Sequence, residues 1–307
     1  MTSRLLLAAV RLVHLALRLS HRRAGIVLVY HAVAERSGDP KRELVPPHSV
    51  ALLEAQLRYV KAHYQLVPSD VLLPAVAERS RGGRFPVAIT FDDDLGSHTR
   101  LAVPILSRLG APATFFLCGA SLERPYSFWW QRLQRAVDLG LDVPVEGQGI
   151  HELAERIEEM SGEERQTVAK RLGSKLGAEP EDAGLRAAQI HELVEGGFEV
   201  GFHTLRHDRL TDLDEGSLAR AMVEGRAPLE AAAGRPITAI AYPHGSADTR
   251  VAAAARAAGY PFGFTGRNEP AVATSEPLLV GRIEPTFGSV AIFAAQLLRV
   301  LVKRPHR

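Results

Sequence analysis

A single cysteine among 307 residues excludes an internal disulfide, so no covalent staple supports this fold. Cys118 lies in an apolar run, residues 113–120, and reads as a small buried hydrophobe rather than a nucleophile. The cysteine count argues neither for export nor against it. Charge of one sign is equally scarce. With 37 basic and 35 acidic residues the net charge is +2, and no basic stripe interleaves with aromatics, so nucleic acid is not an expected partner. No apolar run is long enough for a membrane span. Residues 5–19 come nearest, but Arg11, His14 and Arg18 interrupt them, and no small-x-small cleavage signature follows. Internal repeats and low-complexity tracts are absent as well.

What is present begins with that N-terminal segment. Arg4, Arg11 and Arg18 recur every seven residues, His14 stands among them, and His21, Arg22 and Arg23 follow. Two arrangements fit residues 1–24: an amphipathic helix lying on an anionic membrane surface, or the same helix packed against the rest of the protein. The C-terminus repeats the pattern, with residues 292–302 apolar and Lys303, Arg304 and Arg307 behind them. The expected location is the cytoplasm or the membrane periphery, with export left open.

From residue 25 to 307 the chain alternates short β-rich runs with helical periodicity. Strands are expected at 26–30, 87–91, 113–117, 198–202, 237–242, 262–265 and 278–283, and helices at 51–64, 101–109, 185–195, 215–233 and 249–258. Such alternation gives the fold class α/β, a distorted barrel of about seven parallel strands with helices outside. Chemistry is then expected at the carboxyl ends of the strands. Residues 124–183 break the rhythm. They are polar, helix-rich and far longer than an ordinary connection, and read as a helical insertion beside the site.

Asp92, Asp93 and Asp94 leave the expected strand 87–91 together. Three adjacent carboxylates repel one another, and a strand end has no structural need of them, so the cluster points to a cation or to proton transfer. His203 and His207 follow the strand 198–202; on a helix, the i, i+4 spacing would put both rings on one face, about 6 Å apart. One aspartate and two histidines form a nitrogen-rich set that leaves coordination positions open, as a hydrolytic metal requires. Zinc is the first expectation, and cobalt, nickel or iron also fit. The run Phe128-Trp129-Trp130 offers aromatic faces to sugar rings, or anchors the insertion to the barrel.

Taken together and in order, these motifs resemble the polysaccharide deacetylases of carbohydrate esterase family four, which share the NodB-homology domain. Thr90-Phe91-Asp92-Asp93 looks like the first motif of that family, His203-Thr204-Leu205-Arg206-His207 like the second, and Ala241-Tyr242-Pro243-His244-Gly245 like the third. The similarity runs from about residue 25 to 286, with the insertion outside the core. It implies a TIM-like barrel in which Asp92 is the general base, and Asp93, His203 and His207 hold a divalent metal. The third motif, Pro243-His244, then supplies a backbone N–H to the oxyanion, and Arg282 pairs with Asp92. Three departures stand out. Asp94 replaces a glycine, His244 replaces a tyrosine, and no Leu-x-His motif supplies a general acid near the C-terminus. His31 and Glu284 are the substitutes by position, and His31 has the better ordinary pKa for an acid, about 6.5 against about 4.3.

The expected function is metal-dependent hydrolysis of N-acetyl groups from an acetylated amino sugar in a polysaccharide, glycan precursor or glycolipid. The alternatives are an O-acetyl carbohydrate esterase and a glycan-binding homologue without turnover.

Overall fold

The computed structural model describes residues 3–304; Met1, Thr2 and Arg307, which belong to the expected terminal segments, lie outside them. Helix α1 (Ser3–Arg18) leads into β1 (Ala24–Tyr30). A short ribbon, β2 (Val33–Ala34) with β3 (His48–Ser49), precedes α2 (Val50–His63), β4 (Gln65–Leu66), α3 (Leu72–Glu78) and β5 (Pro86–Asp92). Next come α4 (Val103–Leu109), β6 (Thr114–Leu117), then α5 (Trp129–Asp138), α6 (Gly149–Glu159), α7 (Gly162–Leu176) and α8 (Ala187–Glu195). The chain ends with β7 (Glu199–Phe202), α9 (Glu215–Ala221), α10 (Arg226–Ala233), β8 (Ala239–Ala241), α11 (Thr249–Ala257), β9 (Phe262–Phe264), β10 (Ala271–Val272) and α12 (Val290–Val302).

Strands β1, β5, β6, β7, β8 and β9 pair in parallel and in chain order, which requires a crossover between each pair and curls the sheet. Residues 280–283 span the gap between the two ends of this path. Val280 bridges Phe264 of β9, and Ile283 bridges Leu28 of β1. Residues 278–283 therefore supply single bridges and no continuous ladder strand. β10 pairs antiparallel with β1, and β4 lies beside the first half of β5.

The pleat sorts each strand into two faces. Ile26, Leu28 and Tyr30 of β1 and Val87, Ile89 and Phe91 of β5 pack outward against the helices. Val27 and Ala88 point inward, to a second cluster with Phe116, Ala239, Ala241 and Phe264. Gly201 of β7 is an inward position where a Cβ would stand 2.3 Å from the Phe116 ring, so only glycine lets that ring fill the barrel.

The helix expected over 215–233 is two helices. Gly225, in the left-handed region at φ +85°, starts α10, and a Cβ there would press on the Leu205 side chain at 3.0 Å. The stretch 222–225 thus bends around the loop that carries the two candidate histidines. Helices α5, α6 and α7 share a small core of their own, built from Leu133, Ile150, Leu153, Ile157, Val168 and Leu172. Phe128 and Trp130 tie it to the barrel beside Cys118.

Helix α1 packs on the outer core, beside the segment that leads into β5. His14 stacks on Tyr64 at 4.7 Å, and its pKa is lowered to about 4, chiefly by burial, so it packs as a neutral ring. Arg79 caps the end of α1, donating to the carbonyls of Arg18 (2.8 Å), Ser20 (3.3 Å) and Arg22 (2.7 Å). The helix also packs along α12.

Candidate active site

Alternation along β5 points Ala88, Thr90 and Asp92 into the barrel, so the carboxylate of Asp92 emerges at the carboxyl end of the strand. A continued strand would send Asp93 outward. Instead its backbone turns left-handed, at φ 73°, and the side chain enters the same cleft. Asp94 departs from both. It is buried, and its carboxylate accepts from the backbone N–H groups of Cys118 (2.7 Å), Gly119 (3.3 Å) and Ala120 (3.0 Å) and from the Ser121 hydroxyl (3.3 Å). Where a glycine is usual, this residue staples the loop after β6. The three adjacent aspartates therefore do different work.

His203 and His207 do not sit on a helix. The segment is a tight turn in which His207 N–H donates to the Thr204 carbonyl (3.3 Å), and both Thr204 (φ 54°) and His207 (φ 52°) are left-handed. The turn still brings the rings together, with centroids 4.9 Å apart. His203 Nδ1 donates to the Ala241 carbonyl at 2.9 Å, which fixes the tautomer and leaves Nε2 as a free lone pair. Trp130 packs 4.4 Å from the His207 ring and lies almost flat on Phe128. Trp130 is 7% exposed, so it acts as a wall that orients His207 rather than as an open sugar platform. Trp129 is half-buried and faces the cleft.

Asp93 Oδ1 lies 3.7 Å from His203 Nε2 and 3.5 Å from His207 Nε2. One donor atom from each of these residues falls within 4.8 Å of the others, a group that could hold a metal ion. The fit is more than proximity. Asp93 Oδ1 is buried without a hydrogen-bond partner in the protein, a costly state that a cation would relieve. Burial, with Asp92 and Asp94 adding to it, pushes Asp93 up to about 7. Burial also lowers His203 to about 4 and His207 well below the ordinary imidazole range, so both rings present neutral nitrogens.

Asp92 goes the other way. Its burial is the largest influence and would raise it, but Arg282, His203 and the Arg282 hydrogen bonds outweigh burial and hold it at about 2. The pairing is bidentate: Arg282 Nη1 donates to Oδ1 at 2.7 Å and Nη2 to Oδ2 at 2.6 Å. Arg282 is itself buried and also donates to Thr90 Oγ1 and the Thr265 carbonyl, both at 3.3 Å. Asp92 Oδ2 remains 3.8 Å from His203 Nε2, facing the three-donor group.

These residues floor a cleft of about 390 Å³. His31 and Glu284 meet on one rim, Nδ1 to Oε1 at 4.0 Å, with the glutamate side chain more than half exposed. Pro243 is buried beneath the turn, and His244 stands left-handed above it at φ 57°. Asp93, Thr204, His207 and His244 are the left-handed non-glycine residues among those described, and all four gather here. Strain of this kind, concentrated in one place, marks a functional site.

The sequence did not suggest Glu158. It lies in the last turn of α6, where Ile150 and Ala154 precede it at i−8 and i−4 on the buried face, so a carboxylate occupies a core-facing position. That is the signal that could have found it. Its Oε1 lies 3.7 Å from His244 Nδ1, and its Oε2 accepts from Arg209 at 3.2 Å. Glu158, Trp129, His207 and His244 also line a second cleft of about 630 Å³ adjoining the first, between the insertion and α9.

Comparison with known proteins agrees with this architecture. The polysaccharide deacetylase family matches over residues 79–263, and the chain belongs to it. It is therefore a hydrolase that deacetylates carbohydrate. Among solved structures it is similar to the Streptococcus pyogenes deacetylase PplD in complex with acetate, at 18% identity and TM-score 0.63 over 90% of this chain and 98% of that one. It is also similar to a polysaccharide deacetylase from Bacillus cereus (21%, TM-score 0.60, 89% and 69%) and to IcaB from Ammonifex degensii (20%, TM-score 0.58, 88% and 97%). At such identities the likeness is one of fold. No curated protein matches the chain.

Proposed function

We propose that the protein removes N-acetyl groups from amino sugars within a glycan chain, in a metal-dependent reaction. The carrying observation is the split between two neighbouring carboxylates. Asp92 is held ionised by Arg282, while Asp93 turns its unpartnered oxygen toward two neutral imidazoles. A divalent ion held by Asp93, His203 and His207 would supply Lewis acidity at the acetyl carbonyl. Every other task falls to side chains of the cleft. Asp92 accepts the proton of the attacking water. The His244 backbone N–H donates to the oxyanion. His31, beside Glu284 on the rim, gives its proton to the departing nitrogen. Two adjoining clefts that share Trp129 and Glu158 suit several linked sugars better than one.

A panel of substrates tests this reading. On N-acetylated amino-sugar oligomers, acetate and primary amine should appear in equal amounts, and His31→Ala should slow these amides far more than it slows aryl acetates. A phenolate leaves without a proton; an amine does not. Acetate released only from O-acetylated sugars would sink the N-acetyl assignment, and equal losses on both substrate types would remove His31 as the acid.

Arg282 gives a pH test. Asp92 must be ionised to act as a base, and Arg282 is what outweighs its burial. Arg282→Met should therefore raise the Asp92 pKa and move the acid limb of kcat/KM to higher pH; an unmoved limb would separate Arg282 from the base. The same pair bears on stability. A carboxyl lowered on folding contributes stability present above its unfolded pKa, about 3.9, and lost as pH falls toward 2. Breaking a buried pair by removing one partner costs about 3–5 kcal/mol, so the variant should also melt earlier at neutral pH.

A further inference from the structure

Helix α1 is apolar on two sides, only one of which packs on the protein. Val10 and His14 turn inward, with Leu6, Leu7 and Leu17 half-covered. Leu5, Leu12, Val13, Leu15 and Leu19 are all more than half exposed. At 100° per residue the first four, with Ala8, Ala9 and Ala16, form one apolar arc along a helix about 24 Å long, and Leu19 follows directly after its end. Ile292 and Val302 of α12, which packs beside it, are also about half exposed. One apolar side, with His14, packs on the protein, and the other is left to the surroundings.

The charge around this arc says what those surroundings are. Residues 1–34 and 285–307 hold nine of the 37 basic residues and none of the 35 acidic ones, so the rest of the chain carries a net charge of −7. Arg4 and Arg11 border the arc on α1; Arg23, Arg81, Arg299, Lys303 and Arg304 are exposed around the α1–α12 pair. An exposed apolar stripe flanked by cations, on an otherwise acidic body, complements an anionic lipid surface.

We propose that the α1–α12 face docks this protein onto an anionic phospholipid bilayer. Docking also sets an orientation. Arg18 and Leu19, at the end of α1, accept from Gly82 N–H and Arg81 before β5 begins, whereas Asp92 leaves the far end of that strand, about 20 Å away. The cleft then opens away from the bilayer, toward a glycan chain held off the membrane.

The test is flotation of the full chain with phosphatidylcholine vesicles, with and without phosphatidylglycerol. The protein should float with anionic vesicles, lose binding in high salt, and ignore pure phosphatidylcholine. Replacing Leu5, Leu12 and Leu19 with Glu should weaken binding at least tenfold, and Arg4→Gln with Arg11→Gln several-fold. Neither variant should change melting temperature or deacetylation of a soluble oligomer, because these side chains are exposed and remote from the cleft. No flotation of the wild type, or unchanged binding of the leucine variant, overturns the proposal. So does a dimer in light scattering that the leucine variant dissolves while vesicles are ignored, since the face would then be an interface between two copies.

Discussion

Asp92→Asn is expected to lower kcat by about two orders of magnitude or more while metal content stays near that of the wild type. The amide has nearly the shape of the carboxylate, so the cleft should keep its form, and Asp92 is not among the three convergent donors. What disappears is the acceptor for the water proton. The substitution also leaves Arg282 buried without its bidentate partner, so some loss of thermal stability should accompany the kinetic loss. The two effects separate by assay, because instability lowers the amount of folded enzyme and the missing base lowers the rate of each folded molecule. Asp93→Asn makes the natural control. It should lose metal first, and activity as a consequence. If Asp92→Asn emptied the site of metal and Asp93→Asn kept it full, the two roles would be reversed.

Much of the fold was legible because it rests on period and alternation. The fully buried runs of β1 and β5 and the apolar spacing of α2 announce a parallel sheet with helices outside. The breaks were harder to read. Residues 215–233 keep helical periodicity throughout, and Gly225 interrupts them only because its backbone must pass close to Leu205. Residues 278–283 have strand composition yet make single bridges, since they cross a gap whose width no local pattern records.

The site shows the same division. Asp92, Asp93, His203, His207 and Arg282 converge because each leaves the same end of the curled sheet. The means by which they converge was not readable. Left-handed backbone at Asp93, Thr204 and His207 depends on the surrounding loops, not on residue type, and it replaces the helix on which the two histidines would have sat. Asp94 is one more acid of the strand-end cluster in sequence and is a loop staple in space. Glu158 looks like one more acid of a polar helix, until its place on the buried face of α6 brings it to His244.

The central claim is that Asp93, His203 and His207 hold one divalent ion on which activity depends. The donor set favours zinc, with cobalt, nickel and iron as close competitors. Replacing both histidines by alanine leaves a single carboxylate oxygen, too little to retain a transition metal, so the loss of activity should be nearly complete. The most direct measurement is metal content by elemental analysis, paired with acetate release on the same samples. About one transition-metal ion per wild-type chain is expected, with activity lost on chelation and restored on adding back the ion, and neither metal nor activity in the double variant. Full metal occupancy in the His203→Ala/His207→Ala protein, or undiminished acetate release from chelated wild type, would contradict the account.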